Sequence, residues 1–143
     1  MSSLSGTGLI PTRYLVLMAQ LTLSITLLMD REGNVKACLP YDHTSEQYIG
    51  KDTELIVGLS LSIAFIAIEL LTFGTGFTMF SNFATVFSIM AHSAGTVALA
   101  YFATDIWDCN LFWWIFSLSV CFPLLTDISV IIVTLCAYDV KYK

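Results

Sequence analysis

Four strongly polar side chains lie inside long apolar stretches of this chain, one in each stretch: Gln20, Glu69, His92 and Asp127. Carboxylate and imidazole groups can relay protons, form ion pairs, or take part in hydrolysis. Inside a membrane such groups are costly, so they are expected to meet each other, a partner protein or a water-filled site. What they can do therefore depends on how the elements that carry them are arranged.

The composition is that of a membrane protein. The 143 residues are 57% hydrophobic and only 12% charged, with a mean hydropathy of +0.80, whereas soluble domains carry about 25% charged residues. The net charge of −5 comes mostly from acids in the polar connections. No basic stripe of the kind that binds nucleic acid is present, so a nucleic-acid partner is not expected.

The hydropathy pattern predicts an all-α protein with a single membrane domain spanning residues 1–143. The four predicted transmembrane helices cover about residues 14–29, 55–77, 83–104 and 111–138. The first is short, so residues 9–13 are expected to extend it, with Arg13 snorkelling to the interface. Pro11 suits a first helical turn, Thr53 is the expected N-cap of the second helix, and Pro123 is a candidate kink in the fourth.

The lengths of the connections predict a four-helix transmembrane bundle made of two antiparallel hairpins, with both termini on the same side. Three basic residues fall on each side: Arg13, Lys141 and Lys143 with the termini, and Arg31, Lys36 and Lys51 with the first connection. The positive-inside rule therefore does not decide the orientation by count. The charges flanking the first helix favour termini in the cytosol.

The four polar residues are predicted to form one layer inside the bundle. At ~1.5 Å rise per residue they lie about 9 to 16 Å from the terminal face. Small and polar residues share a helix face with them: Gly58, Ser62, Thr72 and Gly76 with Glu69; Thr85, Ser88, Gly95 and Thr96 with His92; Arg13 and Ser24 with Gln20. Such stripes are typical of surfaces where membrane helices pack together.

Three roles remain open for this layer, with intramembrane hydrolysis a distant fourth. The layer could pack the bundle, meet a partner protein's helix, or carry protons or ions. A path needs polar steps toward both faces, and residues 63–68, 97–100 and 113–116 provide almost none. There is no zinc motif and no nucleophile with an obvious base. The sequence therefore predicts a non-enzymatic protein with no catalytic residue, cofactor or metal, and a small proton- or ion-conducting subunit is the alternative.

Two of the four cysteines are placed to form a disulfide. Cys38 lies in the first connection and Cys109 in the third, which the predicted topology puts on one side of the membrane. If that side is exoplasmic it is oxidising, and a bridge closing a loop of roughly 70 residues is worth about 4 kcal/mol by chain entropy. The alternative is two free thiols. Cys121 and Cys136 lie within the fourth helix.

Six short motifs occur in this order along the chain: residues 10–15 (Ile-Pro-Thr-Arg-Tyr-Leu), 37–40 (Ala-Cys-Leu-Pro), 68–70 (Ile-Glu-Leu), 91–93 (Ala-His-Ser), 107–109 (Trp-Asp-Cys) and 123–127 (Pro-Leu-Leu-Thr-Asp). In number and spacing they resemble the transmembrane protein 107 family, four-pass proteins of the ciliary transition zone. The chain departs from the family pattern at Gln20, where a histidine is expected, and in its terminal tail.

The resemblance implies a non-enzymatic protein in the membrane at the base of the primary cilium. Its implied partners are the lipid bilayer and other transition-zone proteins of the Meckel-syndrome module, which it would help to recruit or retain. The implied role is support of the diffusion barrier that controls ciliary membrane composition, and so of ciliogenesis.

Overall fold

A computed structural model describes residues 2–79 and 81–141, with side chains from residue 8 onward. Lys143, counted above among the basic residues near the termini, lies outside them. Six α-helices are present in the described residues: α1 Ser2–Met29, α2 Glu32–Ala37, α3 Ser45–Gly74, α4 Asn82–Thr104, α5 Leu111–Phe116 and α6 Phe122–Lys141. A π-helical turn, Ser117–Cys121, joins α5 to α6. These described ranges contain no β-strand.

Four segments are long and apolar enough to cross a membrane: Gly8–Met29, Ser45–Gly74, Asn82–Thr104 and Leu111–Lys141. The predicted all-α class with four apolar helices is therefore confirmed. The last segment comprises α5, the π-helical turn and α6, which follow one another without a break.

The first two long helices begin before the apolar segments from which they were predicted. The helix predicted from residue 14 begins at Ser2, so Pro11 lies in its interior rather than in its first turn. The helix predicted from residue 55 begins at Ser45, after a capping box in which Thr44 and Gln47 exchange side-chain and backbone hydrogen bonds. Its first turns are polar, so hydropathy misses them although the cap sets the start. Thr53, the expected N-cap, is inside the helix.

The expected distortion near Pro123 appears on its N-terminal side. Proline has no backbone N–H to donate, and its ring crowds the carbonyl one turn earlier, which belongs to Ser119. The chain accommodates this by widening residues Ser117–Cys121 into a π-helical turn. The wider turn changes the helical register, and Ser119 is left facing the interior with 3% of its surface exposed.

The core lies between α1, α3, α4 and the last helical segment. The inward face of α1 repeats at the expected helical spacing, with Arg13, Leu17, Gln20, Ser24 and Leu27 all buried. Apolar side chains fill the half of the bundle next to the first and third connections: Val35, Leu55, Leu59, Leu99, Phe102 and Phe112.

The connection between α4 and α5 contains a strained residue and is held by hydrogen bonds from another segment. Ile106 has φ of 52°, a left-handed conformation that is costly for a β-branched residue. The Asn34 side-chain amide donates to the carbonyls of Phe102 and Trp107, at 2.6 and 3.0 Å, on either side of Ile106. The helix α2, which carries Asn34, thus holds this connection in place.

Candidate functional site

The structure joins the four predicted polar residues in one network. His92 lies at its centre, with Nε2 2.8 Å from Glu69 Oε2 and Nδ1 2.6 Å from Gln20 Oε1. Asp127 enters through Arg13, which contacts both Asp127 and Glu69. None of the five side chains is more than 1% exposed. The network is therefore enclosed by the helices and sealed from the surface.

The side chain of Arg13 does not extend outward from the bundle, as snorkelling to the interface would require. It is 0% exposed, and its Nη2 lies 3.0 Å from Glu69 Oε1 and 2.5 Å from Asp127 Oδ2. The guanidinium also stacks over Phe73, 5.4 Å from the ring centroid. Ion pairs with two carboxylates and contact with an aromatic face stabilise this cation inside the bundle more than hydration at the membrane interface would. The signal in the sequence is that Arg13 shares a helix face with Gln20.

Two serines complete the network, and only one lies in a predicted stripe. Ser88 donates from Oγ to Glu69 Oε1 at 2.6 Å. Ser119 accepts from Gln20 Nε2 at 2.7 Å and donates to the carbonyl of Ile115 at 2.7 Å. Ser119 cannot be found from regular helical spacing, because the π-helical turn shifts the register of the residues it contains.

Not every buried polar atom is paired. In the described part of the chain, Nε and Nη1 of Arg13 and Oδ1 of Asp127 have no hydrogen bond, and neither do the hydroxyls of Thr78 and Thr85. Unpaired buried polar atoms cost folding free energy. At the Arg13–Asp127 end of the layer, hydrogen bonds therefore offset less of the cost of burying polar atoms than they do at the end formed by Gln20, His92 and Ser119.

Each long helix contributes to the layer. Arg13 and Gln20 come from α1, Glu69 from α3, His92 from α4 and Asp127 from α6. Hydrogen bonds between membrane helices specify which surfaces meet. The chemistry shown by this geometry is mutual pairing of side chains that come from four different helical segments.

Close approach of α4 to the π-helical turn depends on Gly95. A Cβ added there would lie 2.3 Å from Ser119 Cβ and 2.9 Å from Gln20 Nε2. Contacts this short require a backbone shift, because Ser119 Cβ has no rotamer that moves it away. Gly95 therefore allows the Gln20–Ser119 hydrogen bond to form.

Gly95→Ala is expected to lower the free energy of unfolding by about 1–3 kcal/mol, the usual range for overpacking. Reversible unfolding in mixed detergent and SDS micelles, followed by circular dichroism, measures this. The control is Gly50→Ala in α3, where an added Cβ meets nothing within 4 Å. There alanine is expected to be neutral or stabilising by up to about 1 kcal/mol. Equal behaviour of the two variants would contradict the close approach at Gly95.

The end of the bundle next to the first connection has its own links. Cys38 and Cys109 are joined by a disulfide, with Cα atoms 5.6 Å apart. These cysteines and Asp108 also form a compact group of potential metal ligands, but oxidised sulfurs offer no thiolate.

Arg31 binds Asp52 through two hydrogen bonds, at 2.6 and 3.0 Å, and this contact raises the pKa of the Arg31 guanidinium.

The fold and the buried layer define a polytopic membrane protein whose four apolar helices are joined by an internal hydrogen-bond network. The family model TMEM107, described as a transmembrane protein, matches residues 9–131. The chain therefore belongs to the transmembrane protein 107 family, and the resemblance of its motifs is confirmed.

Relatives named Transmembrane protein 107 cover most of the chain. The protein of Xenopus laevis is 41% identical over 132 residues, which is 92% of this chain and 93% of the relative. The protein of Homo sapiens is 37% identical over 125 residues, covering 87% and 89%. The protein of Danio rerio is 36% identical over 125 residues, covering 87% and 93%. No solved structure matches the chain.

Proposed function

We propose that this chain is a non-enzymatic membrane scaffold of the ciliary transition zone. In this role it recruits or retains proteins of the Meckel-syndrome module and supports the ciliary diffusion barrier and ciliogenesis. The observation that carries the proposal is membership of the transmembrane protein 107 family, matched over residues 9–131. The ciliary role is the one implied by the resemblance of the six sequence motifs to this family.

The buried layer fits a scaffold. Its side chains are bonded to one another, and both Glu69 and His92 are 0% exposed. A partner's helix cannot reach them without opening the bundle, which favours packing over partner contact as the role of the layer. Partners would then bind the outward apolar faces, whose geometry depends on the rotation of each helix that the layer sets.

The proposed topology is two antiparallel hairpins with both termini in the cytosol. Two contacts support it: the Cys38–Cys109 disulfide, which joins the first connection to the third, and the Asn34–Phe102 hydrogen bond, which joins the first connection to the end of α4. A disulfide persists in the oxidising exoplasmic space rather than in the cytosol. The first connection would then be exoplasmic.

Asp42→Asn is expected to add an N-glycan, because it turns Asp42-His43-Thr44 into an Asn-x-Thr acceptor in the first connection. A shift in gel mobility that glycosidase reverses measures it. The control is Ser3→Asn, which creates an Asn-Leu-Ser acceptor near the amino terminus and is expected to stay unmodified. Glycosylation of the Ser3 variant alone would contradict the topology.

The scaffold role is tested in ciliated cells. A tagged chain is expected in a narrow band between basal body and axoneme, and its proximity-labelled neighbours are expected to include Meckel-module proteins. Glu69→Leu removes a side chain that contacts Arg13, Ser88 and His92, so the variant is expected to lose these neighbours. Uniform signal over the plasma membrane from the unmodified chain would contradict the proposal.

One observation favours a second function, a small proton- or ion-conducting subunit. Titratable groups follow one another through hydrogen bonds from Asp127 through Arg13 and Glu69 to His92. Beyond His92, however, the buried residues of α4 are the apolar Leu99 and Phe102, after Gly95. Reconstitution in liposomes with a pH-sensitive dye separates the two functions: a proton leak that Glu69→Leu abolishes would favour conduction.

A further inference from the structure

We propose that His92 is a buried imidazolium, protonated on both ring nitrogens, whose positive charge makes the polar layer electrically neutral. In this state it holds α1 through Gln20 and α3 through Glu69. The proposal goes beyond the scaffold role, since it assigns a bound proton to the assembled bundle whatever its partners are. Three features of the network support it.

The first feature is the direction of the hydrogen bonds on the Gln20 side. The carbonyl of Ile115 can only accept, so the single hydroxyl proton of Ser119 is donated to it. Ser119 Oγ must then accept from Gln20, which turns the amide nitrogen toward Ser119. The amide oxygen is left facing His92 Nδ1 at 2.6 Å. Because that oxygen can only accept, Nδ1 carries a proton.

The second feature is the environment of the Glu69 carboxylate. Its Oε1 receives an N–H from Arg13 at 3.0 Å and the Ser88 hydroxyl at 2.6 Å. A cation and a hydroxyl donating to the same oxygen stabilise the ionised form. The other oxygen, Oε2, lies 2.8 Å from His92 Nε2. An ionised carboxylate can only accept there, so Nε2 also carries a proton.

The third feature is the charge of the layer. The titratable groups packed around His92 are Arg13 from α1, Glu69 from α3 and Asp127 from α6, all fully buried. Glu69 and Asp127 both pair with the Arg13 guanidinium, which favours their ionised forms. Two ionised carboxylates with one guanidinium would leave a net charge of −1 in the membrane interior, which is costly. An imidazolium at His92 makes the numbers of positive and negative charges equal. Hydrogen bonding and charge balance thus lead to the same protonation state.

Nitrogen NMR of histidine tests the proposal directly. The chain has two histidines, His43 and His92, so the His43→Gln variant, labelled with ¹⁵N-histidine and held in lipid bilayers at neutral pH, reports on His92 alone. Two protonated, imidazolium-type resonances are expected. A single unprotonated ring nitrogen would overturn the proposal, including the case in which the proton sits on Glu69 instead.

The charge balance is tested in the same background with Glu69→Gln. Loss of one negative charge is expected to convert His92 to the neutral ring, seen as the appearance of one unprotonated nitrogen. The control is Glu54→Gln, which removes a part-buried carboxylate bonded to Lys51 and Trp113 and is expected to leave the imidazolium resonances in place. An unchanged imidazolium with Glu69→Gln, or its loss in both variants, would overturn the proposal. If Glu69→Gln does not fold, the His43→Gln spectrum decides by itself.

Discussion

Arg13→Met is expected to lower the free energy of unfolding by about 3–5 kcal/mol, the cost of leaving a buried charge without its partner. Arg13 contacts both Glu69 and Asp127, and it also covers Phe73. Methionine fills much of the same volume as arginine, so the decrease in unfolding free energy reflects the missing positive charge more than lost packing. Reversible unfolding in mixed detergent and SDS micelles measures the loss.

Two comparisons separate charge burial from other causes. Arg31→Met breaks a pair with Asp52 that is about a quarter exposed, for which a loss below about 1 kcal/mol is expected. The double variant Arg13→Met/Asp127→Leu removes both partners of the buried Arg13–Asp127 ion pair and is expected to recover most of the lost stability, since apolar replacement of a buried pair is often neutral. Equal losses from Arg13→Met and Arg31→Met would contradict the burial of Arg13.

Cys38→Ser is expected to lower the free energy of unfolding by about 2–4 kcal/mol, because it opens a covalent link between positions 71 residues apart. Cys109→Ser is expected to have a similar effect, and the double variant little more than either single one. The bridge ties the first connection to the strained turn at Ile106, which Asn34 clamps from the same side. Loss of the bridge should therefore loosen α4 and α5 next to that turn.

Thiol counting checks the bridge independently of stability. Denatured protein is expected to bind maleimide at Cys121 and Cys136 alone before reduction, and at all four cysteines afterwards. A Cys136→Ser variant is the matched control, since Cys136 is exposed and its loss should leave stability unchanged. Labelling of four cysteines without reductant would mean that Cys38 and Cys109 are free thiols.

Local properties of the sequence determine much of this fold. Apolar runs predict four spans, since only regular helices and closed barrels satisfy their backbone groups in lipid. Helical spacing also predicts which faces turn inward. Of the residues in the predicted stripes, Ser24, Ser62, Thr85 and Ser88 are buried, whereas Thr72, Gly76 and Thr96 are half-buried. The start of α3 is missed because polar residues form its first turns, although the Thr44 capping box is readable in the sequence.

The pairing within the layer was decided by the tertiary structure alone. Arg13 meets Glu69 and Asp127 across 56 and 114 residues, and no local rule states whether a cation near the start of an apolar segment turns outward to the interface or inward to two carboxylates. Ser119 enters the network because the π-helical turn before Pro123 rotates it inward. The sequence determines that four helices each carry a polar group on an inward face. Which groups touch depends on the relative rotation and depth of the helices, and these emerge only when the helices pack together.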